Sequence, residues 1–236
     1  MSRTSLLITP LLATPLLLAI APQAAWASPV NPWGATVGKG VVALTPFLYV
    51  DQTPAVYPYL YVQYGFTDSF ELLAGGGGTI AEGATAFDDV ELMPRFFFTE
   101  SGALALHATY VPGVDGVTLA PEYHGVYSWD PLDLTVNVGW GPWVGAGGFA
   151  PGDVYAMIAP ERYLTDSTSI FVELNPSYTL PDDPVEGSFY MEVVPGVSTA
   201  INDTHFFAAG VHVPVTGFAA SDIYFGAWYS VGFGGE

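Results

Sequence analysis

Three of the chain's four histidines, His107, His124 and His212, can be placed near acids such as Glu122, and Ser128 follows His124 by four residues. Those types could form a Ser/His/acid hydrolase. His107, His124 and Glu122 could also ligate a metal if neighbouring strands aligned them. Spacing weighs against the hydrolase: residues four apart on one face of a strand stand about 13 Å apart, too far for a direct bond between base and nucleophile. No G-x-S-x-G elbow occurs either. Single histidines on polar faces are usually structural, so the residues point to no catalytic set, no cofactor and no metal centre.

A different chemistry is written more heavily. Acids recur at the polar positions of alternating segments, at Glu71, Asp89, Glu91, Glu122, Asp133, Asp153, Glu161, Glu173, Glu192 and Asp222. Aromatic residues share the alternation, at Tyr57, Tyr59, Tyr61, Phe97, Tyr155, Tyr163, Phe171, Tyr190, Tyr224 and Trp228. Gathered on one surface, the acids would lower the energy of cations and raise that of anions. The rings would suit an apolar or aromatic molecule with a polar handle.

The elements that must position these residues follow from a rhythm of turns. Short polar turns at Thr67-Asp68-Ser69, Glu100-Ser101-Gly102, Trp129-Asp130-Pro131, Thr165-Asp166-Ser167 and Asn202-Asp203-Thr204 recur every 29 to 37 residues. Each interval holds a strand going out, a longer link rich in Gly, Pro and acids, and a strand coming back. The strands read as Lys39–Asp51, Ala55–Phe66, Ser69–Thr79, Asp88–Thr99, Gly102–Val111, Val117–Ser128, Leu132–Trp143, Asp153–Leu164, Ser167–Tyr178, Ser188–Ala200, Thr204–Val215 and Asp222–Phe233. The fold class is then all-β: a transmembrane up-and-down antiparallel β-barrel of about 12 strands over residues 39–236, with both termini on the short-turn side.

Composition favours such a barrel over a soluble β-sandwich. Half of the residues are hydrophobic and only 11% are charged, yet beyond residue 27 no apolar stretch of about 18 residues is free of a charge, Gly or Pro. Strands of about 9 to 11 residues cross an apolar layer, one face in lipid and the other in the lumen. Closure pairs every backbone donor and acceptor that lipid cannot hydrate. Residues 1–27 read as a cleaved secretory signal peptide, with Arg3, the apolar run Leu6 to Ile20, and the small-x-small site Ala25-Trp26-Ala27. Residues 28–38 read as a short periplasmic lead-in. The sequence has no cysteine, which excludes disulfides, thiolate metal sites and a lipoprotein anchor.

Alternation assigns the faces. Phe70, Leu72 and Ala74 face lipid against Glu71, Leu73 and Gly75; Val90, Leu92, Phe96 and Phe98 face it against Asp89, Glu91, Met93, Arg95 and Phe97. A one-residue slip would put acids into lipid, so register is strongly specified. Trp129 beside a short turn, with Trp140 and Trp143 at the far end, fits two interfacial aromatic girdles. Prolines inside the strands, at Pro46, Pro58, Pro94, Pro121, Pro160, Pro176, Pro195 and Pro214, each remove a ladder hydrogen bond, which suggests bulges. A bend at Pro160 could turn Arg162 inward. The run Gly75 to Gly78 reads as a flexible strand end, because a phosphate loop needs a following helix and a Lys.

The segment Tyr64-Gly65-Phe66-Thr67-Asp68-Ser69-Phe70-Glu71-Leu72, with Phe87-Asp88-Asp89-Val90-Glu91-Leu92 through Phe98, resembles the hairpin pattern of bacterial outer-membrane barrels grouped as transporters of the meta-pathway of phenol degradation. The resemblance covers residues 55–111 and the turn rhythm. It implies an outer-membrane channel or transporter-like barrel for small organic molecules in a Gram-negative-type bacterium, and it brings no catalytic set. The chain departs from the usual barrel terminus, since Phe233 is followed by Gly234-Gly235-Glu236.

Charge narrows the partners. The formal net charge is −19, and −20 without Arg3, leaving Lys39, Arg95 and Arg162 as the remaining bases, so nucleic acid is excluded. Crowded lumen acids repel unless cations or the two arginines offset them. The residues expected to line a narrow, acidic and aromatic lumen are Glu71, Asp89, Glu91, Arg95, His107, Glu122, His124, Asp133, Glu161, Glu173, Glu192, Tyr59, Tyr61 and Tyr224. The expected partners are outer-membrane lipid, small solutes such as cations or aromatic compounds, and the outer-membrane assembly machinery. A barrel whose lumen is filled, serving structure or surface interaction, is the alternative, and a lipid-modifying enzyme a further one.

Overall fold

The computed structural model describes residues 37–52, 55–99, 101–182, 186–216 and 223–234. The signal segment, residues 28–36 of the lead-in and Asp222 lie outside the described residues. Among the described residues there is no helix, and 12 strands close into one antiparallel barrel in which β1 meets β12. They are β1 Val41–Asp51, β2 Val56–Thr67, β3 Phe70–Ala81, β4 Ala84–Thr99, β5 Gly102–Tyr110, β6 Gly116–Trp129, β7 Leu132–Gly145, β8 Gly148–Tyr163, β9 Thr168–Thr179, β10 Ser188–Asn202, β11 His205–Pro214 and β12 Tyr224–Gly234. Two hairpins run further than the sequence suggests: β4 begins at Ala84, not Asp88, and β8 at Gly148, not Asp153. Ala81 pairs with Ala84 around a tight turn at Glu82-Gly83, where Gly83 takes φ 77°, so small residues without strand character are zipped into the ladder.

Facing follows the alternation. Glu71, Leu73, Glu91, Arg95 and Phe97 are buried inside, while Phe70, Leu92, Phe96 and Phe98 stand exposed on the outer wall. Trp129 and Trp140 are exposed at opposite ends. Trp143 departs from the expected girdle: it is half-buried, pairs with Thr118 of the inward series, and lays its ring on Gly116.

The prolines expected to mark bulges do not make them; Pro142, which does sit at a register shift between Gly141 and Trp143, is not one of those. In an antiparallel ladder each N–H points to one neighbour only, so a proline interrupts one side and leaves the other intact. Thr45 and Pro46 lack partners in β12, yet Leu44↔Val231 and Phe47↔Trp228 keep one register, and Pro46 still pairs with Leu60 of β2. Pro58 interrupts only toward β3, Pro94 toward β5, Pro121 toward β7, Pro160 toward β9, Pro176 toward β8 and Pro195 toward β11, all without a register shift. The shifts fall nearer strand ends, at Gly65/Thr67, Gly77/Gly78, Phe97/Thr99, Gly141/Trp143 and Ala200/Asn202. Arg162 therefore stays on the outer face, paired with Leu132 and Ile170, and does not enter the lumen.

Nor is Gly75 to Gly78 a loose strand end. It lies within β3, and its inward members sit directly across from large rings, Gly75 opposite Tyr61 and Gly77 opposite Tyr59. A Cβ on Gly75 would come within 2.6 Å of the Tyr61 ring. The same pairing recurs as Gly139 with Tyr155, Gly196 with Phe171 and Gly226 with Tyr49. Each ring can lie flat across its neighbour only because the facing residue has no side chain, and this lets a narrow barrel hold so many aromatics.

Candidate functional site

The lumen network starts from a register pair. Glu71 of β3 faces Arg95 of β4, both fully buried, and Arg95 Nε donates to Glu71 Oε1 at 2.5 Å while Nη2 completes the ion pair. Arg95 Nη1 lies 3.4 Å from His124 Nδ1, and the guanidinium stands over the Phe97 ring, 5.1 Å from its centre. His124 Nε2 sits 2.5 Å from Glu122 Oε2. With an arginine donor at Nδ1 and a carboxylate at Nε2, the neutral Nε2–H tautomer satisfies both contacts.

Glu122 is the hub. Its Oε1 accepts from the Tyr155 hydroxyl at 2.5 Å and lies 3.1 Å from His107 Nδ1. His107 Nε2 is in turn 3.2 Å from Glu91 Oε2, which also accepts from the Tyr61 hydroxyl at 2.5 Å. Tyr59 packs on Tyr61 with ring centres 4.8 Å apart. Five strands thus contribute to one belt running Glu71, Arg95, His124, Glu122, His107, Glu91, Tyr61. His107, His124 and Glu122 are brought together as the metal hypothesis required, but they bond to one another, and no ligand-like group of three His, Cys, Asp or Glu occurs among the described residues.

The remaining expected residues fall into separate groups. Glu173 and Glu192 are bridged by Asn175, whose Nδ2 donates to Glu173 Oε1 at 2.6 Å and to Glu192 Oε1 at 3.3 Å. Glu192 also meets His212 Nδ1 at 2.9 Å and accepts from Tyr224 at 2.8 Å. Glu161 accepts from Ser198 at 2.7 Å and from Ser169, and Asp133 accepts from Tyr163 at 2.8 Å. Asp89 is buried on the inward face beside Glu91. Arg95 is the single inward Lys or Arg among the described residues.

An aromatic layer packs inside the barrel. Phe47, Tyr49, Tyr61, Leu73, Phe171, Val194, Ala208 and Trp228 form one buried cluster, with Trp228 only 1% exposed and its ring centre 6.0 Å from Phe47 and 6.1 Å from Phe171. At this height the rings and aliphatic side chains pack against one another. Alternation places Trp228 inward but not at the centre of this layer, and it leaves Gln63, Met157 and Asn175, all buried inside, unremarked. Their inward parity was the available signal.

No family model matches the chain, and no curated protein sequence matches it. Solved structures do. The NanC porin aligns with a TM-score of 0.57 at 7% identity, over 82% of this chain and 99% of that one. The KdgM porin aligns with a TM-score of 0.58 at 10% identity, over 81% and 99%. An outer membrane channel from Pseudomonas putida F1 aligns with a TM-score of 0.56 at 10% identity, over 85% and 98%. At these identities the likeness is one of fold.

Proposed function

We propose that this chain is an outer-membrane channel for small solutes, exported with residues 1–27 as its signal, and that its lumen favours cations and aromatic or other organic molecules over anions. The observation that carries the reading is the inside-out chemistry of a closed barrel. Large apolar side chains such as Leu60, Leu92, Ile170 and Phe225 cover the outer wall, a surface suited to lipid. Ionisable and aromatic side chains line the inside, where acids outnumber the lone Arg95. The porin-like fold and the resemblance to the phenol meta-pathway transporters support the same class.

The aromatic layer favours a second reading, a barrel whose interior is a packed core and whose role is structural. Trp228, Met157 and Val194 are buried inside the barrel, and on this reading their packing fills the lumen. Liposome swelling separates the two. Vesicles carrying the refolded protein should swell in small organic solutes and stop swelling above a sharp size limit. Vesicles no leakier than protein-free controls in any solute would assign the chain to the structural class.

A further inference from the structure

Glu173, Asn175 and Glu192 form a group apart from the Arg95 belt. Glu173 lies on β9 opposite Val194, and Asn175 lies opposite Glu192, so all three project inward within two residues of one another along the β9–β10 pair. All three are buried: Glu173 and Glu192 are 0% exposed, and Asn175, at 5%, keeps a narrow contact with solvent. Glu192 is well supplied with donors, from Asn175, His212, Tyr190 and Tyr224. Glu173 is not. Its Oε1 takes the Asn175 amide, while its Oε2 and the Asn175 carbonyl Oδ1 are buried with no hydrogen-bond partner.

Two orphan oxygen acceptors next to a pair of carboxylates are a costly arrangement, because a buried acceptor without a donor forfeits its hydration uncompensated. A lysine or arginine would resolve it, yet the single inward Lys or Arg among the described residues, Arg95, is committed to Glu71, and His212 meets Glu192, not Glu173. What the group lacks is positive charge that accepts electron pairs from oxygen. We propose that Glu173 Oε2 and Asn175 Oδ1, with Glu192 supplying the second negative charge, form a binding site for a hard metal cation in the lumen wall. The two unpartnered atoms of Glu173 and Asn175 are oxygens, carboxylate and amide, which suits a calcium-like ion, while the nearby His212 imidazole has its Nδ1 on Glu192. Two carboxylates match a divalent charge, and water completes the coordination. The site goes beyond the channel reading, since it holds whether or not solutes pass.

The test is calcium itself. Protein refolded in detergent is titrated with calcium chloride by calorimetry at fixed ionic strength, with melting temperature measured beside it. One saturable site should appear per barrel, and the melting temperature should rise with calcium and fall with chelator. Glu173→Gln should weaken the affinity at least about tenfold, as removal of a charged ligand does, and Asn175→Asp should tighten it. Glu82→Gln, on an exposed turn, should leave it unchanged, which separates the site from screening of surface acids. Should Glu173→Gln fail to fold, the parent titration and Asn175→Asp still decide. No saturable calcium binding by the parent, a melting temperature that follows pH but not calcium, or equal binding by parent and Glu173→Gln would overturn the site, the pH-only result assigning a proton to Glu173. Loss of swelling activity with calcium binding intact would sink the channel and leave the site standing.

Discussion

Arginine scanned along one outward row of β7 tests whether lipid or water covers the barrel. The row runs Leu132, Leu134, Val136, Val138, Trp140, and β7 begins at the short turn of Asp130-Pro131. A strand rising about 3.4 Å per residue and tilted about 40° climbs roughly 2.6 Å per residue along the membrane normal. Val136, four residues into the strand, stands about 10 Å above the turn, near the middle of an apolar band about 25 Å tall. Its cross-strand partners are Gly125 and Ile158, so no carboxylate lies beside it on either neighbour. Val136→Arg should cost about 2 to 4 kcal/mol and Leu132→Arg, at the interface, about 0 to 1 kcal/mol. Urea titration of barrels folded in lipid vesicles reads both. In water, by contrast, exposed outer-face substitutions stay within about 0.5 kcal/mol of the parent. Equal, small costs at the two positions would refute the lipid-facing assignment.

The buried ion pair makes a second prediction. Arg95→Met leaves Glu71 charged without its cation, with only the Val37 N–H donating to it, and should cost about 3 to 5 kcal/mol, while the double variant Arg95→Met/Glu71→Gln should recover much of the loss in the same urea assay. Trp228→Ala should destabilise the barrel by about 3 to 5 kcal/mol by opening a cavity in the aromatic layer, and should raise the conductance seen in planar bilayers. For topology, cysteines at Asp68 and Asp203 should be labelled by a membrane-impermeant maleimide from one side of the membrane, and cysteines at Glu82 and Gly147 from the other. Mixed labelling within either pair would break the up-and-down order.

Much of this was legible from the residues, because period two and polar turns act locally. The 12 strands, their order and the facing of Glu71, Arg95, Phe97 and Trp228 follow from alternation between turns, and a slip of one residue would have exposed acids to lipid. What stayed hidden depends on pairing. Ala81-Glu82-Gly83-Ala84 has no strand character of its own and becomes strand only by zipping from Gly78 and Phe87 outward. Pro160 reads as a bend in isolation, but β7 holds its register straight through and keeps Arg162 outside. The partner sets within the lumen were equally out of reach. His107 meets Glu122 and Glu91 because β5 lies between β4 and β6 with a particular stagger, and no spacing along one strand encodes it. The rings over glycine were readable in principle, since Tyr61 and Gly75 lie at matching distances from the Asp68 turn.

The reversal potential of the parent protein in a planar bilayer under a potassium chloride gradient tests the central claim most directly. An inward face with buried Glu71, Glu91, Glu122, Glu173 and Glu192 against the lone Arg95 should pass potassium in preference to chloride. The preference should weaken as salt rises and the Debye length falls from about 10 Å at 0.1 M to about 3 Å at 1 M. A potential of the cation-selective sign, shrinking with salt, is the predicted result; a silent bilayer or a potential of the anion-selective sign would contradict the account.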